Sequence, residues 1–108
     1  CDRRVVADTI EIVSRTTGPI VEVGAGNGAL TLPLQRLGRS LTAIEIDRRR
    51  ARRLARHSSA DVIAADFLHY RLQRTPHVVV GNLPFHLTAA MMRRLLHGPG
   101  WTDAVLLV

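Results

Sequence analysis

Four short stretches carry the residue types from which a group-transfer site is built. Asn82-Leu83-Pro84-Phe85 follows the run Val78-Val79-Val80-Gly81 and sets a carboxamide, a proline and an aromatic ring in one loop. Gly24-Ala25-Gly26-Asn27-Gly28 is a glycine-rich turn, with Glu22 two residues before it and Glu45 21 residues after Gly24. Asp66-Phe67 closes the set. An amine attached to an aromatic base is a poor nucleophile, because its lone pair is delocalised into the ring. The Asn82 side-chain oxygen and the Leu83 carbonyl offer two acceptors that hold both amine hydrogens and aim the lone pair at an alkyl donor. Phe85 can stack on the base and favour the positive charge that grows there. No general base is needed before attack, since the alkylated ammonium sheds its proton easily. Read as structure alone, the same residues are a turn with Phe85 filling the core.

The glycine turn points to the donor. Gly24, Gly26 and Gly28 let the backbone pass close to a ligand and leave helix-start N–H groups free. Gly24-x-Gly26-x-x-Ala29 meets the dinucleotide fingerprint, and Glu45 falls where an acid accepts from a ribose diol. These features indicate an adenosine-bearing cofactor without choosing one. Glu22 tilts the choice, because an unpaired charge inside a strand is costly. A carboxylate there suits a cationic amino-acid tail, which S-adenosylmethionine has and NAD lacks. The competing reading pairs Glu22 with a surface Arg. Asp66 can accept from an adenine amine while the Phe67 N–H donates to the ring; by itself Asp66 is equally well a turn cap.

The elements that must position these groups alternate along the chain. Helical spacing over residues 2–16 puts Val6, Ile10 and Val13 on one face, and Gly18-Pro19 stops it. Strands are expected at 20–23, 41–46, 62–65, 78–80 and 104–108. A second helix starts near Ala29 or Leu30, tolerates Pro33 in its first turn and ends at Gly38. Asp47 caps a third, with Ala51, Leu54 and Ala55 inward and Arg48, Arg49, Arg52, Arg53 and Arg56 outward. Thr88 caps a fourth through Met91, Met92, Leu95 and Leu96, whose methionines are expected in the core. Strand and helix in alternation, with near-continuous apolar strands, predict an α/β fold with a mostly parallel, doubly wound sheet.

Composition narrows the setting. The 108 residues suffice for one domain, and no apolar run approaches the ~20 residues of a membrane helix. All 15 basic residues are Arg, giving a net charge of +6 that favours a polyanionic partner, nucleic acid first. A single cysteine excludes an internal disulfide and argues against a zinc cluster, so a cytoplasmic setting is expected. The five histidines show no metal-ligand spacing. An opening Cys1 and a close inside an apolar strand make the chain read as a piece of a longer protein, cut at both ends.

Glu22-Val23-Gly24-Ala25-Gly26-Asn27-Gly28-Ala29-Leu30-Thr31, Ile44-Glu45-Ile46-Asp47, Asp66-Phe67 and Asn82-Leu83-Pro84-Phe85 together resemble the rRNA adenine dimethyltransferases, in that family's order and over nearly the whole chain. His86-Leu87-Thr88 looks more like the Erm macrolide-resistance methyltransferases of large-subunit rRNA than like the small-subunit enzymes. The resemblance implies a Rossmann-like class I methyltransferase core. It implies S-adenosylmethionine held by Glu22, Gly24, Ala25, Gly26, Glu45, Ile46, Asp66, Phe67 and Asn82, with Asn82, Leu83 and Phe85 at the target adenine. It further implies 23S rRNA as partner, resistance to macrolides, lincosamides and streptogramin B, no metal, no membrane, and a monomeric full-length protein. A Gln-Asn-Phe-Leu segment and a C-terminal helical RNA-binding region of that family are missing here. Three rivals stay open: a small-subunit rRNA dimethyltransferase, a non-catalytic RNA-binding protein on the same fold, and an NAD-dependent dehydrogenase.

Overall fold

The computed structural model describes residues 3–107, the Phe85 side chain excepted. The expected stacking role of Phe85, the first residue of the opening helix and the last of the closing strand therefore lie outside the described residues. The elements run α1 (Arg3–Ser14), β1 (Ile20–Val23), α2 (Thr31–Gln35), β2 (Leu41–Glu45), α3 (Arg48–His57), β3 (Asp61–Ala64), a 3₁₀ turn (Phe67–His69), β4 (His77–Asn82), α4 (Phe85–His97) and β5 (Trp101–Leu107). The five strands form one sheet in the order β3-β2-β1-β4-β5. Every adjacent pair is parallel.

Alternation along the strands sorts the core into two layers. Ile20, Val78 and Val80 face Val13 of α1 and Leu30 and Leu34 around α2. Val21, Val23, Ile44 and Val79 face the other way, onto Phe67, Leu72, Met91 and Leu95 of the 3₁₀ turn, the loop after it and α4. Leu54 of α3 packs on Ala43 and Ala25 on the α2 side. Val78, Val79 and Val80 are wholly buried; each such side chain contributes roughly 1.5–3 kcal/mol of apolar burial. The uninterrupted valine run is thus explained by a strand covered on both faces.

Local chemistry sets several ends. Asp47 caps α3 as expected, its carboxylate accepting from the Arg50 N–H at 3.0 Å. The Arg39 guanidinium closes off α1, donating to the Gly18 and Val13 carbonyls at 2.7 and 2.9 Å.

The structure corrects other expectations. Helix α2 holds only five residues, because the preceding turn continues to Leu30. Thr88 does not cap α4, which begins at Phe85 directly after Pro84; its hydroxyl lies buried without a partner among the described residues. Met91 is core, whereas Met92 and Leu96 are 52% and 76% exposed. Ala55 points to solvent. In both helices the buried face is narrower than the apolar pattern suggests, since only one layer of sheet lies beneath it. Strand β5 starts at Trp101, earlier than Ala104, because pairing with β4 extends down to His77.

Candidate functional site

Strands β1, β2 and β3 step outwards in one direction, while β4 returns to the opposite flank of β1. That reversal opens a crevice beyond the carboxyl ends of β1 and β4, where ligands of open α/β sheets bind. A cleft of about 160 Å³ occupies this end of the molecule, walled by Gly24, Glu45, Ile46, Asp66, Phe67 and Leu83 among others. Its lining is largely apolar and smaller than the ~300–1,000 Å³ of ordinary ligand pockets. It encloses a flat ring and leaves the rest of any larger ligand lying over the glycine turn.

Glu45 ends β2 beneath that turn and is 5% exposed. One carboxylate oxygen accepts the Gly26 N–H at 2.7 Å and the other accepts the Asp47 N–H at 2.8 Å. Two backbone donors thus fix the carboxylate, and each oxygen keeps a lone pair for a ligand hydroxyl. Asp66 follows β3 with one oxygen on the Leu68 N–H at 3.0 Å. Its other oxygen lies 3.8 Å from His69 Nε2, beyond hydrogen-bond reach. No backbone acceptor takes the Phe67 N–H among the described residues. An acceptor and a donor are therefore side by side at the cleft wall, the pair an adenine edge requires.

The turn is not the open amide cradle the sequence suggests. Gly24 N–H donates to the Ile44 carbonyl at 2.9 Å, Gly28 N–H to Ala25 at 3.0 Å and Ala29 N–H to the Asn27 side chain at 3.1 Å. With Gly26 bonded to Glu45 and α2 delayed to Thr31, few helix-start donors remain for a pyrophosphate. This geometry is unfavourable for a dinucleotide, which depends on such donors. Gly24 (φ +75°) meets a closer neighbour than any ligand, since a Cβ there would lie 2.7 Å from Leu83 Cδ2 and 3.0 Å from the Asn82 carbonyl. The glycine turn and the asparagine loop are in direct contact, and only a residue without a side chain permits it. Gly26 (φ +56°) has no atom closer than 3.9 Å to its Cβ position, so space above the turn is open.

Glu22 sits on the α2 side of β1, 1% exposed, and does not line the cleft. Its partner is Thr31, whose hydroxyl donates at 2.5 Å; no surface Arg reaches it. Burial pushes the Glu22 carboxyl up to about 7, against the pull of the Thr31 hydroxyl and with a smaller push from Glu45. Ala25, Gly26 and Asn82 likewise stand outside the cleft lining, Ala25 packed beneath the turn against Leu54. The Asn82 side chain is half-buried at the end of β4 and makes no hydrogen bond to a described residue. Leu87 N–H bonds to the Pro84 carbonyl, so α4 does not consume the Leu83 carbonyl. Leu68, Leu87 and Thr31 are not legible in the sequence as site residues, because only folding brings them to this end of the sheet.

The ribosomal RNA adenine dimethylase family model matches residues 4–108. An rRNA adenine N-6-methyltransferase of Corynebacterium diphtheriae is 48% identical over 110 residues, covering 99% of this chain and 44% of the relative. The mycinamicin-resistance protein MyrB of Micromonospora griseorubida is 43% identical over 99% of this chain and 35% of its own length. The chain thus spans less than half the length of these curated relatives. The solved structure of the 23S rRNA methyltransferase ErmE superposes with a TM-score of 0.83 and 30% identity, over 98% of this chain and 46% of that one. The glycopeptide N-methyltransferase MtfA, solved with S-adenosyl-L-methionine, superposes at 0.65 with 27% identity, over 83% of this chain and 42% of its own.

Proposed function

This chain belongs to the ribosomal RNA adenine dimethylase family, and we propose that it forms the S-adenosylmethionine-binding core of a longer enzyme that methylates N6 of an adenine in 23S rRNA. The consequence for the cell is resistance to macrolides, lincosamides and streptogramin B. The enzyme acts in the cytoplasm and uses no metal; among the described residues no helix is long and apolar enough to cross a membrane.

One observation carries the reading: the Gly24 backbone lies against Asn82 and Leu83, with a Cβ position 2.7 Å from Leu83 Cδ2. Donor turn and acceptor corner are adjacent, as direct transfer of a one-carbon group demands. When bound, S-adenosylmethionine supplies a methyl on a sulfonium. The cleft wall of Asp66 and Phe67 holds an adenine edge, and Glu45 accepts from ribose hydroxyls. Glu22, fixed by Thr31 behind the turn, adds negative potential beneath a cationic tail without touching it. Asn82 and the Leu83 carbonyl hold the two hydrogens of the target amine, and Phe85 stacks on its base.

Methyl transfer by the protein in its natural length tests this. Methyl-labelled cofactor is offered with large-subunit and small-subunit rRNA separately, and the modified base is mapped by primer extension. A single adenine of 23S rRNA is the expected product. Label in small-subunit rRNA alone replaces the target, and label in neither rRNA overturns the enzyme.

A further inference from the structure

Helix α4 and the segment from Phe67 to Arg74 lie side by side and form two concavities, not one. Phe67, Leu68 and Leu87 wall the cleft at the upper end. At the lower end Arg71, Arg74, Arg94 and His97 surround a second pocket of about 300 Å³. No carboxylate lines it. Among the described residues the carboxylates that form ion pairs are Glu11, with Arg15, and Asp66, with His69, so none neutralises these three guanidinium groups.

We propose that this lower pocket is a subsite for a backbone phosphate of the RNA substrate, a proposal that rests on the rRNA-methylating function. Arg94 is held in place by its Nη2, which donates to the Tyr70 carbonyl at 2.6 Å, while its Nε is buried with no partner among the described residues. A fixed guanidinium with a spare donor is suited to a phosphate oxygen. The group does not serve the helix end instead. The Leu95 carbonyl receives the Gly98 N–H at 3.1 Å and the Trp101 indole N–H at 2.8 Å. The half negative charge at the end of α4 is outweighed by three full positive charges.

The opposite wall is equally braced. Leu72, 3% exposed, anchors the loop between Arg71 and Arg74 in the core. Gly100 (φ +88°) lets the loop press so close that a Cβ would sit 2.5 Å from the Gln73 carbonyl. Leu87 and Arg94 are seven residues apart, about 10 Å along the helix axis. A strand whose adenine reaches the asparagine corner therefore passes within reach of a cationic pocket built from the same two elements. The arginines of α3 differ: Arg49, Arg52, Arg53 and Arg56 are all exposed on one helix, which attracts RNA without placing it.

Arg71→Gln/Arg74→Gln in the natural-length protein is compared with Arg52→Gln/Arg53→Gln, an equal charge change elsewhere. Affinity for a 23S rRNA fragment containing the target adenine is measured by anisotropy across salt concentrations, with cofactor affinity by calorimetry alongside. The pocket variant should bind RNA at least ~10-fold more weakly than the α3 variant and lower the salt slope by about one to two, one unit per lost phosphate contact. Cofactor affinity should hold in both. Equal losses in the two variants overturn the subsite. Stabilisation by inorganic phosphate that the pocket variant loses, with RNA affinity unchanged, assigns the pocket to a free anion and overturns the RNA source. A wild-type protein that binds no rRNA fails the functional reading itself, whatever the pocket does.

Discussion

The ends of β2 and β4 lie on either side of β1 and are built on opposite principles. At the end of β2 both oxygens of Glu45 are taken by the backbone, at 2.7 and 2.8 Å. At the end of β4 the Asn82 amide has no partner among the described residues. A wall that must present a fixed shape to a flexible ligand benefits from side chains already ordered by their own chain. A corner that must grip an amine only during reaction needs its acceptors idle beforehand. The difference separates a binding half from a reacting half across the width of one strand.

The largest expected effect tests that separation directly. Asn82→Ala should lower methyl transfer by ~10³-fold or more, about 4 kcal/mol, with cofactor affinity nearly constant. Glu45→Ala should reverse the pattern: calorimetry should show weakened cofactor binding, and thermal unfolding a loss from the Gly26 and Asp47 donors left without an acceptor. If Asn82→Ala keeps its activity, or Glu45→Ala keeps its affinity, the two halves are not divided as drawn.

Next in size is a substitution that strikes both halves. Gly24→Ala places a methyl 2.7 Å from Leu83 Cδ2 at a φ of +75°. Left-handed strain and overpacking together should cost roughly 3 kcal/mol in unfolding experiments. Transfer should fall by more than cofactor affinity, because Leu83 rather than the cleft wall must yield. Equal loss of both would show that the turn, and not its contact with the loop, matters.

How far the molecule is readable from its sequence depends on whether a feature is local. The α/β alternation, the Asp47 cap and the positions of Glu45, Asp66 and Asn82 at strand ends follow from valine runs, glycines and capping residues a few positions apart. The contact of Gly24 with Leu83 spans 59 residues of sequence, and no spacing rule anticipates it. Glycines in such a turn signal room for a ligand; at Gly24 the room is filled by the protein's own loop. Glu22 shows the same limit. Its burial is legible from strand position, but its partner Thr31 depends on where α2 begins, and the turn delays that start beyond the expected Ala29 or Leu30. The cationic pocket is also invisible, since Arg71, Arg74 and Arg94 converge only when α4 folds over the loop.

Glu22 offers the finest test, because it is the acid that the Glu45 arrangement would have satisfied and did not. Its carboxyl stands at about 7 against an ordinary value of 4.5, chiefly through burial. Below pH 4.5 the group is protonated in both folded and unfolded chains and contributes nothing. Between 4.5 and 7 the unfolded chain releases the proton while the folded one retains it, so stability falls as pH rises. Above that range the loss is complete, with a ceiling of about 3 kcal/mol. Glu22→Gln keeps an oxygen for the Thr31 hydroxyl and removes the titration. Thermal melts should therefore coincide with wild type near pH ~4 and exceed it near pH ~8. If Glu22 supplies negative potential under a cationic tail, the same variant should bind cofactor more weakly than wild type does at the higher pH. A more stable protein with undiminished affinity would leave Glu22 as buried structure and move the recognition of the cation elsewhere. A stability gain that ignores pH would show that the strand carries no ionised acid at all.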